Sequence, residues 1–198
     1  VKKVLGLDVS STTVGYSVLS IDNRKVSLMD VGFIKPSKKG TLFERLLLLK
    51  KDILSLLKKY NPDEVCIEEI AQFIPRKSTA NTIIILAVFN RMIGLTVLEE
   101  TKKEPHYFSV MSIRSGLKKT KKHPEKFEIP GIVEDYLKIK IPKRIKKTGK
   151  IADEYYDQAD AIAVALFFCY KETGLLSVIN SIRKSENNKL KKSKVKSK

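Results

Sequence analysis

The sequence predicts an α/β domain in which a five-stranded mixed β-sheet is flanked by α-helices. Three observations carry that prediction. Residues 1–35 read as three β-rich runs separated by polar turns, and residues 41–60 then place apolar side chains at three- and four-residue steps. The short apolar segment EVCIEEI at 64–70 lies between a turn and a second helical pattern. Hairpins followed by alternating helix and strand are the pattern of helices layered on a sheet. No internal repeat is visible.

The first strand ends at Asp8; Val14 to Ile21 form the second, and Asp22-Asn23 turn the chain into the third. Leu42, Leu46, Leu49, Ile53, Leu56 and Tyr60 mark one face of an amphipathic helix, which Asn61-Pro62 stops. EVCIEEI is apolar enough for a central strand buried between layers. A long helix is expected from Ser78 to about Glu100, weakened by Gly94. Its apolar centre, Ile83 to Phe89, predicts burial and a place at a subunit interface. His106 to Met111 reads as the fifth strand, with a short helix near Ser112. Residues 118–122 form a basic loop, and 124–139 carry a helical pattern that fits either the core or a mobile clamp. Residues 141–150 read as a basic, irregular connector. A last helix, Glu154 to Lys171, would pack through Tyr156, Ala159, Ala163, Leu166, Phe167 and Tyr170.

A chain of 198 residues, 42% of them apolar, fits one domain with a proper core. That domain is expected over 1–182, followed by a basic tail at 183–198 that lacks apolar period and reads as disordered. The longest apolar run, TIIILAVF, is shorter than the roughly 18 residues of a membrane span. The opening VKKVLGLDVS has no signal-peptide pattern, and Cys66 and Cys169 sit in apolar runs without metal-ligand spacing. Together these predict a soluble protein of a reducing compartment, the cytoplasm or an organelle. The net charge of +17 is concentrated: residues 114–150 hold 13 basic and 4 acidic side chains, and 183–198 hold 8 and 1. A near-neutral body with two basic segments predicts a polyanionic partner. The plainer alternative is a solvated, Lys-rich surface.

Three places put acids where surface charge is an awkward explanation. Asp8 follows the apolar VLGL, Glu68 and Glu69 interrupt an apolar strand, and Asp157 and Asp160 share one helix face. A carboxylate near a core costs several kcal/mol unless it is paired or binds a metal. Each has a structural alternative: Asp8 could cap a turn, Asp157 could be a surface acid, and Asp153 and Glu154 suit a helix start. Strand alternation lets only one of Glu68 and Glu69 face the others, and periodicity does not say which. Oxygen donors without His or Cys suit Mg²⁺ or Mn²⁺. Two such ions about 4 Å apart would serve phosphodiester hydrolysis.

These residues resemble the RuvC family of Holliday-junction resolvases, within the RNase H-like superfamily, over most of residues 1–171. LGLDVSSTTVGYSVL is similar to the family's opening, with Asp8 followed by Gly15 and Tyr16. NPDEVCIEE looks like its second motif, which gives Glu68 the catalytic role, and DQADAIAVAL is close to its last, which assigns Asp157 and Asp160. The resemblance implies an RNase H-like fold and a homodimer formed through the long helix. It also implies a crossover junction endodeoxyribonuclease that cuts four-way DNA junctions by paired symmetric nicks, leaving 5′-phosphate and 3′-hydroxyl ends. Asp8, Glu68, Asp157 and Asp160 would hold two Mg²⁺ ions, with Mn²⁺ substituting, and neither a nucleotide cofactor nor a membrane would take part. Arg114 and Lys126 match the family's basic positions as DNA contacts; Phe73, Arg76, Lys77, Lys118, Lys119, Lys121 and Lys122 complete the candidate DNA-binding set.

The sequence departs from the family pattern in three places. Val9-Ser10 replaces a Pro-Gly, and Ala71 stands where a junction-stacking aromatic is usual, with Phe73 as its substitute. Segment 138–150 is longer and more basic than the pattern. These features resemble phage, viral or organellar members more than the bacterial enzyme. The competing readings are an RNase H-like nuclease acting on RNA–DNA hybrids or flaps, a sugar kinase or actin-like ATPase, and a DNA-binding factor without catalysis. The kinase reading needs two such domains around its nucleotide, and the last leaves the carboxylates unexplained.

Overall fold

The computed structural model describes residues 1–70, 79–118 and 122–175. Strands β1 (Lys2–Val9), β2 (Val14–Asp22) and β3 (Lys25–Ile34) form a meander. Helix α1 (Leu42–Tyr60) returns the chain to β4 (Glu64–Glu69), and α2 (Ala80–Thr101) leads to β5 (His106–Ser109). The sheet order is β3-β2-β1-β4-β5, antiparallel across the meander and parallel from β1 to β4 to β5. Helices α3 (Val110–Leu117), α4 (Ile129–Leu137) and α5 (Glu154–Glu172) complete the fold, with a 3₁₀ turn at Lys126–Glu128 before α4. The expected five-stranded mixed sheet with flanking helices is therefore present.

Alternation along the strands decides which residues reach which layer. Leu5, Leu7, Val14, Val18, Val65 and Ile67 pack toward α1 and α2, whereas Val4, Leu19 and Cys66 pack toward α3, α4 and α5. Helix α1 begins at a capping box, in which the Glu44 amide donates to Thr41 Oγ1 (3.3 Å) and the Thr41 amide to Glu44 Oε2 (2.7 Å). It buries Leu46, Leu49, Ile53, Leu56 and Leu57, each burial contributing about 1.5–3 kcal/mol before entropy is charged.

Several expectations need correction. Helix α2 buries its second half, through Phe89, Ile93 and Val97; of Ile83 to Phe89 only Phe89 is buried, and Ile84 is 60% exposed. Taken whole, α2 is long and apolar enough to cross a membrane by length and composition, which the shorter run TIIILAVF had concealed. Here it packs on the sheet and on α1. Gly94 is less a weak point than a space for β5, because a Cβ there would lie 1.9 Å from Tyr107 Oη. Strand β5 stops at Ser109, whose side chain caps α3 by accepting from the Ser112 amide (3.2 Å). Helix α5 lacks a single packing side: Ala161 through Tyr170 are all buried between the sheet and the α3–α4 layer, whereas Tyr156 is only half-buried. The 124–139 pattern belongs to the core, through Ile129 and Val133. The connector at 141–150 is irregular, as expected, apart from one isolated bridge that pairs Ile145 with Ile151 and closes it into a hairpin. Cys66 and Cys169 are buried free thiols. The expected basic tail lies outside the described residues.

Candidate active site

The carboxylates meet where α5 crosses the ends of the central strands. On β1, Gly6 and Asp8 share the face toward α5. A Cβ on Gly6 would lie 2.3 Å from the Ala161 carbonyl oxygen, so glycine is what lets helix and strand approach this closely. Gly15, the register partner of Asp8 on β2, does the same one turn earlier, where a Cβ would lie 2.2 Å from the Asp157 carbonyl oxygen. Ser17, two residues on, donates to the Ala161 carbonyl at 2.9 Å. Two glycines and a serine thus seat α5 with Asp157 and Asp160 over the end of β1.

Glu68 reaches the same place from the neighbouring strand. The parallel register runs from Val4 with Glu64 to Leu7 with Ile67, which sets Asp8 beside Glu68 at about one inter-strand spacing, roughly 4.8 Å. Alternation then sends Glu69 to the opposite face, where its carboxylate accepts from Arg91 on α2 at 2.7 Å. The ambiguity between the two glutamates is resolved by strand parity. Asn90, buried on α2, donates to the Glu68 carbonyl at 2.9 Å and fixes the end of β4. Sequence reasoning missed this residue, and an Asn within an apolar helix was its one visible trace.

Burial and mutual repulsion act together on the cluster. Loss of solvent is the main cause that raises Asp8 well above the usual carboxylate range, with the charges of Glu68, Asp160 and Asp157 adding to it. Burial, then Asp160, pushes Glu68 up to about 7, and burial, opposed by Lys126, brings Asp157 to about 6. Asp160 is also raised by burial, opposed by Lys126 and Arg114. Lys126 Nζ stands 3.2 Å from Asp160 Oδ2 and 4.0 Å from Asp157 Oδ1. A cavity of about 100 Å³ opens between Glu68, Asp160, Arg114 and Lys126.

Among the described residues no three such side chains close into a coordination shell as they stand. The donor set nevertheless fits a hard divalent cation. It is all oxygen, and its raised carboxyl groups are those a cation would relieve. The structural alternative for Asp8 goes to another residue, whereas Asp153 and Glu154 stand at the start of α5 as expected. Ser10, not Asp8, closes the turn after β1, accepting from the Thr13 amide at 2.9 Å. Asp153 pairs with Lys146 at 2.7 Å, and Glu154 with Lys35 and Arg144.

Of the predicted DNA-binding residues, Arg114 and Lys126 border the cluster, and Lys118 ends α3. Lys122 pairs with Glu125 at 3.3 Å. Phe73, Arg76, Lys77, Lys119 and Lys121 lie outside the described residues.

Comparison with known proteins agrees with this geometry. The chain is 32% identical over 99 residues to a crossover junction endodeoxyribonuclease RuvC of Fusobacterium nucleatum, a match spanning 48% of the chain and about half (52%) of that relative. It is 29% identical to the protein of that name from Prochlorococcus marinus, over 82% of the chain and 95% of the relative. Its fold is that of Thermus thermophilus RuvC solved in complex with a Holliday junction substrate, with a TM-score of 0.66, 20% identity, and 88% and 97% of the two chains covered. The model of the family described as crossover junction endodeoxyribonuclease RuvC matches residues 4–168, a span that begins on β1 before Asp8 and ends on α5 beyond Asp160, and the chain belongs to that family.

Proposed function

We propose that this chain is a metal-dependent, structure-selective endonuclease that resolves four-way DNA junctions by paired symmetric nicks. The observation that carries the reading is the meeting of Asp8, Glu68, Asp157 and Asp160 beside Arg114 and Lys126, an acidic centre within a strongly basic chain. These four carboxylates would hold two Mg²⁺ ions, or Mn²⁺ in their place. When bound, such ions supply Lewis-acid stabilisation of charge on the phosphoryl oxygens and lower the pKa of water. The protein's own part is placement: the closely packed α5 fixes both aspartates, and Asn90 fixes the end of β4. Arg114 and Lys126 border the cavity as cations for the phosphodiester, and Lys118 extends that surface; Phe73, Arg76, Lys77, Lys119, Lys121 and Lys122 complete the proposed DNA contacts.

The outer face of α2 supports a homodimer. Ile84, Leu95 and Leu98 are 60%, 55% and 38% exposed there, an apolar stripe that a second copy would cover. A two-fold axis through such an interface would present two identical centres to opposite strands of a junction. The setting proposed is a cytoplasm, where the buried thiols stay reduced.

The test is cleavage of a labelled four-way junction, a matched duplex and an RNA–DNA hybrid, each with Mg²⁺, Mn²⁺ or EDTA. Symmetric nicks in the junction alone, lost with EDTA, are the expected result. Preference for the hybrid would keep the site and move the substrate. Junction binding without cleavage under every metal would overturn the catalytic reading.

A further inference from the structure

The basic hairpin at 143–151 has no part in the catalytic cluster, yet the chain builds it with care. Ile145 and Ile151 pair across it, the Lys146 amide donates to the Lys150 carbonyl (2.8 Å) and the Ala152 amide to the Arg144 carbonyl (2.8 Å). Gly149 supplies the left-handed residue of the turn at φ 77°. Buried Ile141 and Ala152 anchor its two ends, and the Ile141 amide donates to Glu134 Oε1 at 3.0 Å. Arg144 and Lys146 are bound to Glu154 and Asp153 at the start of α5, at 3.1 and 2.7 Å. A merely solvated lysine loop needs none of these attachments.

Its position follows from the sheet. Val9 pairs with Val14, and Val14 with Ile34, so the end of β3 lies level with the end of β1, two strands or about 10 Å away. Lys35, the next residue, shares Glu154 with Arg144, which ties the hairpin to the β3 flank of the site. Asp153, which holds Lys146, lies one turn of α5 before Asp157, about 6 Å along the axis. On the other flank, α3 follows β5 and carries Arg114. Cations therefore stand on both sides of the carboxylates, across a sheet end of four inter-strand spacings, about 19 Å.

Among the described residues Lys147 and Lys150 make no ion pair; both are exposed, and Lys143 lies over the Tyr155 ring (5.1 Å). These like charges, held close on a fixed hairpin, repel one another until a polyanion neutralises them. We infer that the 143–151 hairpin is a second DNA-backbone contact, which grips phosphates of the duplex arm on the β3 side of the scissile bond through Lys147 and Lys150. The inference rests on the endonuclease reading above.

The test is the affinity of the full chain for a four-way junction, by fluorescence anisotropy in EDTA over a series from low to physiological salt, for wild type, K147Q/K150Q and K147E/K150E. Each phosphate that a lysine ceases to neutralise takes about 0.9 from the slope of log affinity against log salt. The Gln variant is expected to lose nearly two units of slope, and the Glu variant to bind more weakly still, both with unchanged melting temperature. Wild-type slope and affinity in both variants would overturn the hairpin's role while leaving the nuclease reading intact. Failure of the wild type itself to bind the junction would instead overturn the reading on which the inference rests, and the hairpin's role with it.

Discussion

Lys126 Nζ stands 3.2 Å from Asp160 Oδ2 and 4.0 Å from Asp157 Oδ1, so a single ammonium group lies among carboxylates that otherwise repel one another. A divalent cation held by the same oxygens, as proposed above, would have to displace it. Removing it in Lys126→Gln should lower the melting temperature in EDTA and tighten Mg²⁺ binding. A charge-assisted contact contributes about 1.5–3 kcal/mol, which sets the gain at roughly ten- to a hundredfold. Titrating the melting temperature with Mg²⁺ measures both effects. An unchanged midpoint would mean that Lys126 does not occupy the cation's place.

Asp8 is the one carboxylate supplied by the strand at the centre of the sheet, and it feels the charges of the other three. Asp8→Asn keeps the shape and removes the charge. Cleavage of a four-way junction should fall at least about a hundredfold, beyond the usual loss for an outer-shell partner of a metal ligand. Junction affinity in EDTA should hold or rise slightly, since a negative charge has been removed. Weakened binding with undiminished cleavage would contradict the metal role.

The raised carboxyl groups make a sign-definite prediction for stability against pH. Glu68 goes from a usual 4.5 to about 7 in the fold, and Asp157 from 3.8 to about 6. Between those values the folded chain holds more protons than the unfolded one, so stability from these groups falls as pH rises. It is fully present below about 4 and lost through about 7 in metal-free solution. Urea unfolding midpoints in EDTA at pH 5 and pH 7.5 should therefore decline for wild type, and decline less for Glu68→Gln. Mg²⁺ should restore more stability at the higher pH. Equal slopes for the two proteins would show that Glu68 does not titrate in this window.

The sequence carried the candidate carboxylate set further than the packing around it. Asp8, Glu68, Asp157 and Asp160 were legible because acids in apolar segments are costly and stand out. Periodicity alone left Glu68 and Glu69 open and only the family motif singled out Glu68, since which of them faces the cluster depends on the register between β1 and β4, a relation between residues about 60 positions apart. Helix α5 misled periodicity for a similar reason: enclosed on both sides by the sheet and by α3 and α4, it has no solvent face to set a pattern. The hairpin at 143–151 escaped because its lysines mask a single bridged pair, Ile145 with Ile151. Gly94 read as a helix weakness because its neighbour Tyr107 comes from β5, beyond the end of the helix in sequence.

The apolar stripe on α2 predicts an oligomeric state. Leu95 is 55% exposed on the face away from the sheet, so a charge there should leave the fold intact and separate the copies. Leu95→Glu is expected to sediment as a monomer at concentrations where wild type is a dimer, with a melting temperature at or above that of the free wild-type subunit. On a four-way junction it should give unpaired single nicks. A monomeric wild type would remove the two-fold explanation of paired nicking.

Gly15 and Gly6 separate the packing of α5 from the chemistry that it positions. Both lie against α5 backbone: a Cβ on Gly15 would meet the Asp157 carbonyl oxygen at 2.2 Å, and one on Gly6 the Ala161 carbonyl oxygen at 2.3 Å. Neither obstacle is a flexible side-chain tip, so the helix itself must shift. Overpacking of this kind costs about 1–3 kcal/mol, and both Gly→Ala variants should lose that much in urea unfolding. Their activities should diverge. The Gly15 contact is with the backbone of Asp157 itself, whereas the Gly6 contact lies one turn further along α5. Displacement of about 1 Å at a catalytic centre costs on the order of a hundredfold in rate. Gly15→Ala should therefore lose far more cleavage than Gly6→Ala at equal loss of stability. Equal losses of activity would mean that α5 moves as a rigid rod, and that its distance from the sheet, not the local setting of Asp157, governs the site.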